Sequence, residues 1–194
     1  MATEKTFRVI TINNRPHTED SPMMPGIVGG VIAGIAFALA EMVINAMLGK
    51  PFPGPLRLIS SMALGTEALD PGYRLTKAGA MGLVIHVILS GLYGAIFARL
   101  ATLFNLHRAP AKYLIVSGSL FGLGLWVVSF LIIVPITFEQ FTQVNQFWNG
   151  FVAHTFFYGT VLGWLVASLR LPKFVRTEDD AESFIGPDEQ KRVA

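Results

Sequence analysis

The sequence predicts an all-α fold, a four-helix transmembrane bundle with an interfacial amphipathic helix in the first outer loop. Three features of the residues predict it. Of 194 residues, 52% are hydrophobic and only 14% charged, where an ordinary soluble domain carries about a quarter charged. The charges gather in tails and loops, leaving four nearly uncharged stretches at 26–48, 79–100, 113–136 and 148–169. Each has roughly 20 residues or more, enough to cross about 30 Å of hydrocarbon at 1.5 Å per residue. The chain then divides into a polar tail (1–25), a four-span membrane domain (26–169) and a charged tail (170–194).

The polar N-terminal segment holds Glu19 and Asp20. It lacks a basic region followed by an apolar core and a small-residue cleavage site, so no signal peptide is expected. Within it, the β-branched run 7–12 is strand-like and could add to a partner's sheet edge, although a loose tail is the plainer expectation. The first span is glycine-rich (Gly29-Gly30-Val31-Ile32-Ala33-Gly34) and leads to Glu41. Gly30, Gly34, Glu41 and Asn45 fall on one helical face. Pro51-Phe52-Pro53-Gly54-Pro55 then stops the helix. After it, Leu56, Ile59, Met62 and Ala63 recur at helical spacing while Arg57, Ser60 and Ser61 point elsewhere, the pattern of a short interfacial helix. Asp70-Pro71-Gly72 marks a turn before the second span.

In the second span Gly79, Gly82, His86, Ser90 and Tyr93 make a small-and-polar stripe. The third carries Gly118 and Gly122, with Trp126 and Ser129 further on. The fourth carries His154 and Tyr158, with Gly159 and Gly163. These small-xxx-small faces predict close helix packing. His86 with Gly91 and His154 with Gly159 repeat one spacing, so the two helical hairpins could be a duplication. The last 22 residues hold ten charges and predict disorder.

Lys and Arg number three in the N-terminal tail, four in the first loop, three around the second, none in the third and five in the C-terminal tail. With four spans, eleven lie on the side of the termini and four opposite. The positive-inside rule then puts both termini in the cytoplasm of a bacterial inner membrane. The third loop, with Trp148 and several Phe residues, fits an interfacial aromatic belt. The net charge of +2 is membrane-flanking charge and points to no nucleic acid. Cysteine is absent, which excludes disulfides, thiolate metal sites, iron–sulfur clusters and covalent haem.

Three ionisable side chains remain at bilayer depth: Glu41, His86 and His154. Each lies six or seven residues from the outer end of its span, roughly 9–11 Å below the outer interface. Such residues are costly there and mark candidate sites. With Asn45, Ser90 and Tyr158 they form a candidate ligand-binding layer. That layer admits four readings. It is a structural cluster in which Glu41 accepts from a histidine, a haem b site with His86 and His154 as axial ligands, a quinone or small-lipid pocket, or part of a metal or proton path. Beyond haem no metal is expected. Walker, dinucleotide, His-Glu-xx-His and Gly-x-Ser-x-Gly signatures are absent from the sequence, so a catalytic role is not expected.

The glycine-rich first helix leading to Glu41, the stretch 51–55 followed by Leu56-Arg57-Leu58-Ile59, and His86 with Tyr93-Gly94 resemble features of uncharacterised bacterial four-helix inner-membrane protein families. Gly122-Leu123-Gly124-Leu125-Trp126 and His154 with Tyr158-Gly159 complete the resemblance, which covers about residues 26–169. It implies the fold and no particular activity. The leading expectation is a non-catalytic accessory or assembly subunit of a larger membrane complex. Its partners would be membrane lipid and other membrane-protein subunits or a second copy.

Overall fold

The computed structural model describes residues 23–144 and 147–169, and every regular element among them is helical. The strand-like run 7–12 and the charged C-terminal tail lie outside the described residues. Five helices organise the described residues: α1 (Met23–Met47), α2 (Gly54–Leu64), α3 (Leu75–Leu103), α4 (Ala111–Thr137) and α5 (Phe147–Ser168). α1, α3, α4 and α5 are the four spans, 22 to 29 residues long with mean hydropathy from 1.3 to 2.3. Their ends follow local chemistry. The proline cluster prevents α1 from continuing. Asn105, left-handed at φ 56°, turns the chain after α3, and Pro110 leads into α4.

The distribution of side chains is that of a protein dissolved in hydrocarbon. On α1 the buried positions are Gly26, Gly29, Gly30, Ala33, Gly34, Ala38, Glu41 and Asn45, whereas Ile32, Ile35, Leu39 and Val43 face outward. In water that arrangement would expose the large apolar residues and bury the small and polar ones, against the hydrophobic effect. In a bilayer the outer face meets lipid, and small residues inside let backbones approach. The protein is a multi-pass membrane protein.

Two glycine seams hold the helices together. A Cβ on Gly30 would strike the Ser90 carbonyl, and one on Gly94 the Gly26 carbonyl, so α1 and α3 touch backbone to backbone. α4 and α5 repeat this, with Gly118 against the Gly159 carbonyl and Gly163 against that of Leu114. The two hairpins share one plan, as the glycine spacing suggests, and join along α1 and α5. Between them sits a core of Ala33, Phe97, Ala101, Leu114, Tyr158, Leu162 and Val166. α3 and α4 scarcely meet. Phe97 and Phe121, with ring centroids 5.4 Å apart, bridge them near the α3–α4 turn. The opposite half of that side is left open.

α2 forms where expected but faces otherwise than expected. Ser60 and Ser61 are buried, and Leu56, Ile59 and Met62 are half-buried. The serines tolerate burial because each donates to its own helix, Ser60 Oγ to Arg57 O and Ser61 Oγ to Leu58 O, both at 2.7 Å. Small side chains also let α2 lie flat on α3, where a Cβ on Gly82 would overlap the Leu56 carbonyl. α2 is therefore a cap docked on the bundle. Arg57 secures the segment that follows, donating to Ala68 O (3.2 Å), Asp70 O (2.7 Å) and Tyr73 O (3.0 Å).

Candidate functional site

The open half between α3 and α4 contains a cavity of about 220 Å³. α1 contributes Phe37 and Glu41; α3 contributes His86, Leu89, Ser90 and Tyr93; α5 contributes Gly150, His154 and Tyr158. α4 supplies Leu125, Ser129, Phe130, Ile133 and Val134. α2, through Leu58, Ile59 and Met62, and the α4–α5 connection, through Phe138 and Phe141, cover the end. Gln140 Nε2 donates to Ser61 Oγ at 3.1 Å, tying the two covering segments together. The cavity lies mostly in the half of the bundle that carries the α1–α3 and α4–α5 connections, with Tyr93 and Tyr158 at its inner end.

Five of the six candidate residues from the sequence line this one cavity: Glu41, His86, Ser90, His154 and Tyr158. Asn45 does not. It is buried on the same face of α1, but its Nδ2 donates to Pro51 O at 2.9 Å and fastens the proline turn. Trp126 also serves elsewhere, its Nε1 donating to Phe147 O at 3.0 Å to hold the start of α5. Ser129 reaches the cavity.

The expected hydrogen bond between Glu41 and a histidine is not formed. His86 Nε2 pairs with Gly34 O and His154 Nδ1 with Gly150 O, each at 2.8 Å. Tyr158 donates its hydroxyl to Ser90 O at 2.6 Å, which pins α5 to α3. Backbone carbonyls thus take the partners that Glu41 was expected to share. Glu41 itself is only 4% exposed, and its Oε1 has no hydrogen-bond partner among the described residues. Buried polar atoms are nearly always paired, so this orphan calls for an explanation.

Phe37 is the residue that sequence reasoning missed at the centre. Its ring lies 4.8 Å from the His154 imidazole, edge on, and 5.3 Å from that of His86. The signal was available: Phe37 sits three residues after Gly34 and four before Glu41, on the same stripe. A porphyrin clamped between the imidazoles would have to displace that ring. Haem b therefore does not fit this arrangement. Nor do three His, Asp or Glu side chains converge on a common point among the described residues, as a metal ion would require.

Two wide helical turns shape the walls. Residues Ser129–Ile133 and Ala153–Thr160 take π-helical geometry, and they carry Ser129, Phe130, Ile133, His154 and Tyr158. Such turns widen a helix and re-aim its side chains, and they recur at functional sites. No family model, no curated protein and no solved structure matches this chain.

Proposed function

We propose that the protein binds a small amphiphilic molecule inside its bundle. The ligand's ring or tail would lie on the apolar walls and its polar head at Glu41, His86 and His154. The observation that carries this is Glu41 Oε1, buried on a mostly apolar cavity with no donor among the described residues. An unpaired buried polar atom costs free energy, so a site that keeps one is shaped for a molecule that supplies the partner. A dry cavity of about 150 Å³ holds benzene, so about 220 Å³ suits a substituted single ring or a short length of tail. A ligand would enter from the bilayer between α3 and α4, which scarcely meet.

Transport of a proton or metal has less support. Toward the α3–α4 turn the cavity gives way to Ala33, Phe97, Ala101, Leu114, Leu162 and Val166, none of them ionisable. The accessory-subunit expectation rests on small size, the absence of catalytic motifs, the glycine-rich bundle and the polar tails, none of which accounts for the buried Glu41 carboxyl. The excess of Lys and Arg on the side of the termini supports cytoplasmic ends in a bacterial inner membrane, with the cavity in the outer leaflet.

Equilibrium dialysis of single-ring alkylated amphiphiles against the purified protein in detergent tests the binding. Wild type should bind saturably at one site, and Leu89→Trp, which fills the cavity, should not. If both show only the same non-saturable partition, the protein is not a binding protein of this kind.

A further inference from the structure

The backbone bonds of the two imidazoles fix which atoms are left for a ligand. A carbonyl oxygen can only accept, so the ring nitrogen beside it carries the proton. For His86 that nitrogen is Nε2, held by Gly34 O, and for His154 it is Nδ1, held by Gly150 O. In the neutral rings His86 Nδ1 and His154 Nε2 are then bare lone pairs. Glu41 adds Oε1, which has no donor among the described residues. A carboxyl group keeps at least one acceptor oxygen in either protonation state. The Tyr158 hydroxyl proton is committed to Ser90 O. The hydroxyls of Ser90, Tyr93 and Ser129 can rotate to donate or accept. The fixed polarity of the cavity is therefore that of an acceptor.

We infer that the cavity selects a molecule whose head brings hydrogen-bond-donating hydroxyl groups, and rejects the quinone or ether of the same shape. The inference rests on the cavity being a ligand site at all. Phe37, Phe130, Phe138 and Phe141 on its walls favour an aromatic carrier for the hydroxyl, as in a hydroquinone, over an aliphatic alcohol. A ligand lacking donors leaves these three acceptors unpaired, the buried Glu41 Oε1 among them, and sites built to pair a hydroxyl discriminate strongly against its absence.

Four probes separate the possibilities by equilibrium dialysis under argon: 2-decylhydroquinone, 2-decyl-1,4-benzoquinone, the dimethyl ether of the hydroquinone, and decanol. The hydroquinone should bind at least about tenfold tighter than the quinone or the ether, and Glu41→Leu should erase most of that margin. Decanol should be the weaker alcohol; decanol equal to the hydroquinone would support donor selection and assign an aliphatic hydroxyl as its source. Quinone or ether binding as tightly as the hydroquinone in wild type would overturn donor selection and leave the ligand site standing. Non-saturable partition of all four would overturn both.

Discussion

Glu41 and Tyr158 line the same cavity yet answer differently to substitution. Tyr158 donates to a backbone carbonyl across helices. Tyr158→Phe removes that bond, and denaturant titration in detergent should record a loss of about 1 kcal/mol. Glu41 Oε1 receives no bond from the described protein, so its removal strands nothing. Glu41→Leu should leave the unfolding temperature of the unliganded protein at or above that of wild type while erasing most of the preference for a hydroxyl-bearing ligand. A marked drop in that temperature would mean that Glu41 braces the bundle after all. That the three ionisable groups share one level of the bundle was legible in the sequence, because each sits at a countable distance from a span end, and all three line one cavity. Their partners were not. Whether an imidazole bonds a carboxylate or a carbonyl depends on approaches below 3 Å that no spacing encodes, and here Gly34 O and Gly150 O win.

Among the elements, the glycines divide into those inside a seam and those facing outward, and the division can be tested within one turn of α4. A Cβ on Gly122 would overlap the His154 carbonyl, whereas one on Gly124 meets nothing within 4 Å. Gly122→Ala should cost about 1–3 kcal/mol by forcing α4 from α5. Gly124→Ala should be neutral or stabilise by up to about 1 kcal/mol through helix propensity. Both are read by unfolding in detergent, and equal effects would contradict the seam. α2 illustrates why its face was misjudged from residues alone. Ser60 and Ser61 count as polar in any periodicity, but their hydroxyls are satisfied within the helix and their small size is what docking on Gly82 demands. Arg57 makes the cap a fixed lid. Arg57→Lys keeps the charge but loses the planar fork that reaches three carbonyls. Amide hydrogen exchange over residues 65–74 should accelerate in that variant, and unchanged protection would show that the fork does not hold the segment.

For the whole molecule, the all-α four-span bundle was legible because hydrocarbon imposes a length and a composition on every span. The π-helical turns and the gap between α3 and α4 were not, since both arise from how four helices share one interior. Orientation rests on the distribution of Lys and Arg, and the absence of cysteine makes it simple to check. Single cysteines placed in 137–144 should react with an impermeant maleimide from the outside of intact cells; labelling from the cytoplasm alone would invert the topology. The central claim is that a cavity inside the bundle binds a small molecule at the Glu41 carboxyl. Difference infrared spectroscopy, with and without 2-decylhydroquinone, observes that group directly. The account predicts a ligand-induced shift of a carboxyl band in wild type that is missing from Glu41→Gln. A saturably bound ligand that leaves every carboxyl band unmoved would contradict it.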